Sequence, residues 1–223
     1  MFNDCRNIEY LEFIQFNVAN ISNISNMFCN CSSLAEIKKM FTNTNEVTSM
    51  SRVFKNCEKF SDLSDISGWD TSKVTDMSEM FYKCCSLKTL DISNWNVSQV
   101  ANMRSMFKLC TELQLSDLNN WKTSNLTNMS FMFSDCKDLK ELSKISNFDT
   151  SNVITMTALF NNCEKLESLY DILEWKVLNV KNMGYMFNNC KMLEDISPLS
   201  FWDFTSVEEM NNMFANCNLL TEL

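Results

Sequence analysis

The sequence predicts an α/β fold in the form of a right-handed repeat solenoid, with one short helix and one short parallel strand in each 26–27-residue repeat. Three observations support this prediction. A motif F-x-x-C returns at a nearly constant interval, apolar residues precede its cysteine at helical spacing, and apolar and polar residues alternate after it. The motif begins at Phe2, Phe28, Phe54, Phe81, Phe107, Phe133, Phe160, Phe187 and Phe214.

The segment that ends at each motif cysteine predicts a short helix. In one copy Met77, Met80, Phe81 and Cys84 occupy positions i, i+3, i+4 and i+7, which form one face of an α-helix. A residue that favours a helix N-cap stands directly before the first apolar position in all copies but the last, where a glutamate stands. These residues are Asn23, Ser49, Asp76, Asn102, Asn128, Thr155, Asn182 and Glu209.

The segment that follows each motif cysteine predicts a short strand. In SLKTLDISNW (86–95), Leu90 and Ile92 alternate with a polar residue, as expected for a strand of period two. Longer copies such as LKELSKISNF (139–148) space their apolar residues more widely, and we interpret them as the same strand with one added residue. An aromatic residue then follows, except in one copy that has Thr42 next to Phe41. The aromatic residues are Phe16, Trp69, Trp95, Trp121, Phe148, Trp175 and Trp202.

These repeats predict a single continuous array over residues 1–223, with about eight repeats. One repeat alone exposes its aromatic residues, methionines and leucines and buries them only against its neighbours, so terminal repeats need polar caps. The chain begins inside a repeat at MFNDC and ends inside one at CNLLTEL. We therefore expect a fragment that lacks both caps, with any signal peptide or anchor outside this segment.

The unit WDTSKVTDMSEMFYKCCSLKTLDIS (69–93) resembles the repeat of BspA-like leucine-rich-repeat surface proteins, of the kind found in mycoplasma lipoproteins. The pattern of that family is W-D-T-S-x-V-T-x-M-x-x-M-F-x-x-C-x-x-L-x-x-L-D-L-S. The resemblance covers essentially the whole chain and is loosest over 32–56. It implies a leucine-rich-repeat-like solenoid at a cell surface, with roles in adhesion. Because the family is defined by core residues, the resemblance supplies no binding residue.

Composition excludes several classes of function. The net charge of −9 disfavours nucleic acid as a partner, because phosphates favour a basic surface. No apolar run is long enough to span a bilayer, so no membrane insertion is expected within this segment. The chain has no His, which excludes a catalytic triad and His-ligated metals. We therefore predict that the protein is not an enzyme and needs no cofactor.

The recurring methionines and cysteines allow two interpretations. They could form a soft-metal site, which would need several ligands converging on one ion. They could instead be core residues, because methionine and free cysteine both pack well in apolar interiors. We favour the core and predict no metal site. Equivalent cysteines of stacked repeats point the same way, which disfavours disulfides. Cys29 and Cys85 lie outside the repeated column and are expected to be the exposed ones.

Aspartates recur four positions before the aromatic residue and form the candidate partner-binding set: Asp65, Asp91, Asp117 and Asp171. If these carboxylates stack about 5 Å apart on the exposed face of the sheet, they repel one another unless a cation or a basic partner covers them. The alternative is that each aspartate accepts hydrogen bonds from nearby backbone amides in a turn.

The sequence therefore predicts a non-catalytic, surface-exposed binding or adhesion module that recognises a protein or glycan partner at a cell or host surface. The alternative is an intracellular protein-interaction scaffold, in which reduced cysteines would be natural. A store for soft metals is a third, less favoured possibility. The identity of the ligand does not follow from one sequence, because binding residues differ between copies while core residues repeat.

Overall fold

The computed structural model describes residues 1–14 and 18–221, so Phe16 of the aromatic column lies outside the described residues. The regular elements are short. The strands are β1 (Tyr10–Glu12), β2 (Glu36–Lys38), β3 (Thr89–Leu90) and β4 (Gln114–Leu115). The 3-10 helices are η1 (Ser64–Gly68), η2 (Ser143–Ile145), η3 (Tyr170–Ile172) and η4 (Ser197–Phe201). Among these elements, no helix is long and apolar enough to cross a bilayer.

The helix predicted before each motif cysteine is wrong, because this segment is a series of turns. Met80 N–H donates to Met77 O over 3.3 Å, and Cys84 N–H donates to Phe81 O over 3.1 Å. These bonds span three residues, whereas an α-helix requires bonds that span four. Each repeat also has two residues with positive φ, such as Glu79 at 56°, and the repeat after Cys31 has a third, Lys39. The apolar periodicity was real, since all four framework residues are fully buried, but turns produce it here.

Hydrogen bonds between repeats explain why no helix forms. Met77 N–H donates to Asn102 O of the next repeat over 2.9 Å. The pattern continues at every second residue up to Lys83, whose N–H donates to Lys108 O over 2.7 Å. Amides that bind the neighbouring repeat are not available for bonds within a helix. The repeats are therefore joined along the stack by their main chains as well as by their side chains.

Six of the eight residues predicted as N-caps do accept from backbone amides, but they cap turns. Asp76 Oδ1 accepts from Ser78 N–H over 2.9 Å, and Asn102 Oδ1 accepts from Arg104 N–H over 3.1 Å. The same column forms parallel bridges between successive repeats. The bridged residues run in order through Asn23, Ser49, Asp76, Asn102, Asn128, Thr155, Asn182 and Glu209.

Repeat length determines the structure that follows each motif cysteine. The four intervals of 26 residues between motif cysteines contain β1, β2, β3 and β4, and the four of 27 residues contain η1 to η4. The strand prediction is confirmed for the shorter repeats, in which β1 pairs with β2 and β3 with β4, both in parallel. It is wrong for the longer repeats. Their added residue is taken up by coiling, as where Ile145 N–H donates to Leu142 O over 3.0 Å.

Stacked aromatic rings run through the core. The motif phenylalanines of all nine copies stack in sequence, with ring centroids 5.5–5.8 Å apart. In the irregular copy Phe41, not Thr42, holds the place in the second aromatic column. Its ring stacks on Trp69 at 5.5 Å, and its carbonyl accepts from Trp69 Nε1–H over 2.8 Å.

Candidate binding surface

The four candidate aspartates lie on one side of each repeat, on the segments that carry the strands and the 3-10 helices. We call the exposed side chains of β1–β4, η1–η4 and the residues adjoining them the strand-and-turn face. Asp65, Asp91 and Asp117 are exposed there, in three successive repeats, and Asp171 is half-buried. Asp65 lies in the first turn of η1, and Asp171 lies in η3.

Two of the aspartates make the local bonds that the turn alternative requires. Asp91 Oδ1 accepts from Ser93 N–H over 3.2 Å and from Ser93 Oγ–H over 2.7 Å. Asp117 Oδ1 accepts from Asn119 N–H over 3.0 Å. These bonds explain the residue type without a ligand, since a short carboxylate is well suited to such turns. The side chains stay exposed, so their charge is available at the surface.

Asp171 has a structural contact of a different kind. Its Oδ2 accepts from Leu142 N–H of the preceding repeat over 3.1 Å, which ties two 27-residue repeats together. Lys144 occupies the same column in the repeat between Asp117 and Asp171. Asp171 therefore differs from the other three candidates, because it makes a structural contact with a neighbouring repeat. Lys144 also places a positive charge within the acidic column.

The strand register does not extend to the aspartates. Thr89 pairs with Gln114, an offset of 25 residues, whereas Asp91 and Asp117 are 26 residues apart. Both carboxylates lie beyond the ends of β3 and β4, and each accepts from the amide two residues later, so they occupy equivalent turns.

Cations balance some acids on this face but leave three aspartates uncompensated. Lys39 lies 2.6 Å from Glu12, and Lys38 lies 3.4 Å from Glu36. Within the described residues, no ion pair includes Asp65, Asp91 or Asp117. The middle of the face is consequently acidic, in keeping with the overall charge.

A cleft of about 460 Å³ opens between β2 and η1 on this face. Its apolar lining is formed by residues that are less than a tenth exposed, Ile37, Met40, Phe60 and Leu63. Charged residues surround it: Glu36, Lys38, Asp62 and Asp65. Sequence reasoning identified only Asp65 of this group. The sequence did contain one signal for this region, because the copy with Thr42 matches the common repeat pattern least well.

The motif cysteines from Cys31 to Cys217 are individually buried thiols. Cys84 Sγ–H donates to Phe54 O of the preceding repeat over 3.2 Å, and the equivalent bond recurs from Cys31 to Cys217. Burial raises the pKa of these thiols, to about 11 for Cys31 and well above the ordinary value for Cys84. Cys85 is half-exposed, but Cys29 is buried, so its predicted exposure is wrong. Protonated thiols, each bonded to a carbonyl, are poor metal ligands.

The family model described as "Mycoplasma protein of unknown function, DUF285" matches residues 1–116 and 102–222. The chain belongs to the DUF285 family. This membership confirms the resemblance to BspA-like repeats that the unit 69–93 predicted. No curated protein matches the DUF285 chain.

Solved structures similar to this DUF285 chain are leucine-rich-repeat proteins. One from Eubacterium ventriosum has a TM-score of 0.51 at 17% identity over 89% of this chain and 56% of its own, so the chain spans little more than half of that protein. One from Bacteroides ovatus has a TM-score of 0.35 at 15% identity, over 98% of this chain and 79% of its own. A leucine-rich cell surface protein from Faecalibacterium prausnitzii has a TM-score of 0.27 at 14% identity, over 96% and 87%. The first of these similarities supports a repeat solenoid for the DUF285 chain.

Proposed function

We propose that the chain is a non-catalytic binding or adhesion module, displayed at a cell surface or secreted, that recognises a protein or glycan partner. The observation that carries this proposal is the contrast between its buried and exposed columns. Met77, Phe81 and Cys84 have identical, fully buried counterparts one repeat later. The exposed column on the strand-and-turn face instead changes from Lys38 to Asp65 in consecutive repeats. A regular scaffold with a variable face suits recognition over an extended area.

The chemistry of the side chains favours binding over turnover. The chain has no His to act as a general base. The buried motif cysteines are also poor nucleophiles, because the thiolate is the reactive form and burial raises their pKa. Exposed carboxylates such as Asp91 are engaged in local turns rather than paired with a second acid or a base.

One observation favours the alternative of an intracellular protein-interaction scaffold. All eleven cysteines are free, as is usual in a reducing compartment. Surface display remains the better-supported proposal, because most of these thiols are buried and inaccessible to oxidants outside the cell.

Protease treatment of intact source cells, followed by mass spectrometry, tests the location. The proposal predicts that peptides of this chain are released before lysis, while a cytoplasmic marker protein is not cleaved. Release only after lysis would overturn surface display and favour the intracellular scaffold. If the peptides are released from intact cells, the purified chain is next screened against immobilised matrix proteins and cell-surface glycans.

A further inference from the structure

A groove of about 450 Å³ crosses three consecutive repeats, in the segments that lead from each aromatic residue to the bridged column. None of its residues belongs to the strand-and-turn face. We call it the asparagine groove, because the same position in all three repeats is an asparagine. Its lining is formed by Asn125, Thr127, Asn152, Ile154, Asn179 and Lys181. All of these residues except Thr127 are exposed.

The three asparagines make the same contact with the preceding repeat. Asn152 Nδ2–H donates to Ser124 O over 2.8 Å. Asn125 and Asn179 make the equivalent bond over 2.6 and 2.7 Å. A main-chain oxygen can only accept, so this bond fixes the orientation of each carboxamide. Within the part of the chain that the structure describes, no hydrogen bond reaches the Oδ1 of these side chains, so each presents an acceptor and a second Nδ2–H donor at the surface.

These carboxamides form a regular row. Asn128, Thr155 and Asn182, which directly follow the groove in each repeat, pair in parallel. Neighbouring paired segments lie about 4.8 Å apart, so the carboxamides recur at about that interval. Because each side chain is already held by its bond to the main chain, little side-chain entropy is lost when a ligand binds.

The fold does not require this row. In the three preceding repeats the asparagine position holds Glu46, Lys73 and Gln99. Two of those residues, Lys73 and Glu46, form an exposed ion pair of 2.8 Å instead. The row of carboxamides is therefore a property of these three repeats and not of the repeat framework.

The chemistry of the groove disfavours a peptide strand and a charged partner. Its main chain is already paired, since Ile154 N–H donates to Thr127 O over 2.8 Å and Lys181 N–H donates to Ile154 O over 2.7 Å. No edge is therefore open to an added strand. Among the lining residues only Lys181 is charged, and its Nζ lies 3.1 Å from Glu208.

A neutral sugar chain matches the groups that the groove presents. Sugar hydroxyls both donate and accept, so they bond to the Oδ1 and to the second Nδ2–H of a carboxamide. The C–H face of a sugar ring is apolar and packs on an aliphatic side chain such as Ile154, which is 51% exposed in the middle repeat of the groove. One hexopyranose ring in an extended chain has nearly the length of one step between stacked repeats.

We propose that the asparagine groove binds an extended neutral glycan, a chain of β-1,4-linked hexopyranoses, with one sugar ring to each repeat. The hydroxyls of successive rings bond to Asn125, Asn152 and Asn179, and the middle ring packs on Ile154. This inference rests on the proposed binding function and narrows it from protein or glycan to an uncharged glycan in one groove.

Isothermal titration calorimetry of the purified chain with cellohexaose and with chitohexaose tests the groove. Ile154→Arg places a long charged side chain in the groove and keeps both main-chain bonds of that residue. Met192→Arg is its matched control, because Met192 is similarly exposed, at 45%, and does not line the groove. Asn152→Ala removes the central carboxamide, and Asn45→Ala removes an exposed asparagine outside the groove. Maltohexaose, whose α-linked chain is coiled, is the control ligand.

We expect at least one of the two β-linked hexasaccharides to bind, and Ile154→Arg and Asn152→Ala each to weaken that binding by about tenfold. Met192→Arg and Asn45→Ala should leave the affinity within about twofold, and maltohexaose should bind about tenfold more weakly. Failure of both β-linked hexasaccharides to bind would overturn the inference. Equal binding by Ile154→Arg or Asn152→Ala, or equal binding of maltohexaose, would also overturn it. If Asn152→Ala does not fold, Ile154→Arg and Met192→Arg decide alone.

Failure of this inference is distinguishable from failure of the proposed function. If intact cells release peptides of this chain and a surface ligand found by screening binds equally to Ile154→Arg and Met192→Arg, the binding function holds and the groove is not its site. If peptides appear only after lysis while a β-linked hexasaccharide binds as expected, the groove is a glycan site and surface display is wrong.

Discussion

The Sγ–H of Cys110 donates a hydrogen bond to the main-chain oxygen of Phe81, 3.0 Å away in the preceding repeat. That oxygen also accepts from Cys84 N–H, which closes the turn of its own repeat. The thiol therefore links the turn of one repeat to the core of the next. This contact explains why a cysteine, rather than an alanine or a valine, fills a small buried position throughout the chain.

Cys110→Ala should lower the free energy of unfolding by about 2 kcal/mol, because it removes a buried sulfur and leaves the second lone pair of Phe81 O without its partner. The matched control is Cys85→Ala, since Cys85 is half-exposed and its longer contact of 3.7 Å stays within its own repeat. Urea unfolding followed by circular dichroism measures both variants. Equal losses of unfolding free energy in the two variants would show that the hydrogen bond from Cys110 to Phe81 does not stabilise the protein.

The buried thiols predict loss of stability in alkali. Burial raises the pKa of Cys31 from 9.0 to about 11 and raises that of Cys84 well above its ordinary value. Below pH 9 the thiols are protonated in both states and do not affect the pH dependence. Between pH 9 and 11 the unfolded chain releases protons that the folded chain keeps, so stability falls as pH rises. Urea midpoints measured across this range should decline, and the slope should be smaller for Cys31→Val. Urea midpoints that stay constant from pH 9 to 11 would contradict a raised thiol pKa in the folded state.

Positive φ values predict a difference between two adjacent asparagines. Asn188 and Asn189 are both half-buried, and each donates one amide hydrogen bond to an asparagine of the preceding repeat, over 2.6 and 2.8 Å. Only Asn189 has positive φ, at 60°. Asn189→Ala should therefore cost about 1 kcal/mol more than Asn188→Ala, since alanine tolerates this conformation poorly. Thermal unfolding of the two variants measures the difference, and a larger loss for Asn188→Ala would refute it.

Glu79 is the centre of a half-buried charge cluster that should support stability above acidic pH. Burial opposes its charge, but hydrogen bonds from Arg52 and Lys55 outweigh that effect and lower the pKa of its carboxyl. Glu79→Gln should cost about 1–2 kcal/mol at neutral pH. Because a lowered pKa stabilises only where the carboxyl is ionised, the loss should shrink as the pH falls below 4.5.

The control for Glu79→Gln is Glu46→Gln, which removes an exposed ion pair of 2.8 Å with Lys73. Glu46→Gln should lower the free energy of unfolding, measured by urea unfolding, by no more than about 0.5 kcal/mol. A Glu79→Gln variant as stable as Glu46→Gln at neutral pH would mean that the cluster contributes only surface electrostatics.

Replacing Asp65, Asp91 and Asp117 together by asparagine should separate charge from turn geometry. Asparagine keeps a side-chain oxygen that can accept from Ser93 N–H and Asn119 N–H, so thermal stability should be retained. Binding to any basic surface ligand found by screening should weaken and lose part of its dependence on salt, because three charges are gone. Isothermal titration at two ionic strengths measures this, with Asp70, Asp149 and Asp203 replaced by asparagine as the control. Unchanged affinity would restrict these aspartates to structural roles.

Much of the core was predictable from sequence because packing repeats with the same period as the chain. Met77, Phe81 and Cys84 are buried as their column indicates. The local conformation was not predictable from this spacing. Apolar residues at i, i+3, i+4 and i+7 form one face of a helix. The same spacing also fits two successive turns with positive φ at Glu79 and Lys83. The near absence of glycine concealed these turns, since residues of many types adopt positive φ here.

The candidate surface was only partly predictable for a different reason. The aspartate column identified the exposed face and included Asp65, which lies beside the cleft. The cleft between β2 and η1 has no such signal, because it lies where two repeats of different length meet. Position within a repeat is visible in the sequence, but the shape of the surface between two repeats depends on how they pack.

The hydrogen bonds from each repeat to the next, such as Met77 N–H to Asn102 O, also determine how the molecule responds to mechanical load. Tension between the first and last repeats passes through these sets of bonds in series. A repeat at the end of any such stack has a neighbour on one side only, so end repeats detach first. Each detached repeat of 26 residues releases about 90 Å of extended chain. A stack built in this way lengthens in nearly equal steps under tension, while the repeats that remain stacked keep their shape.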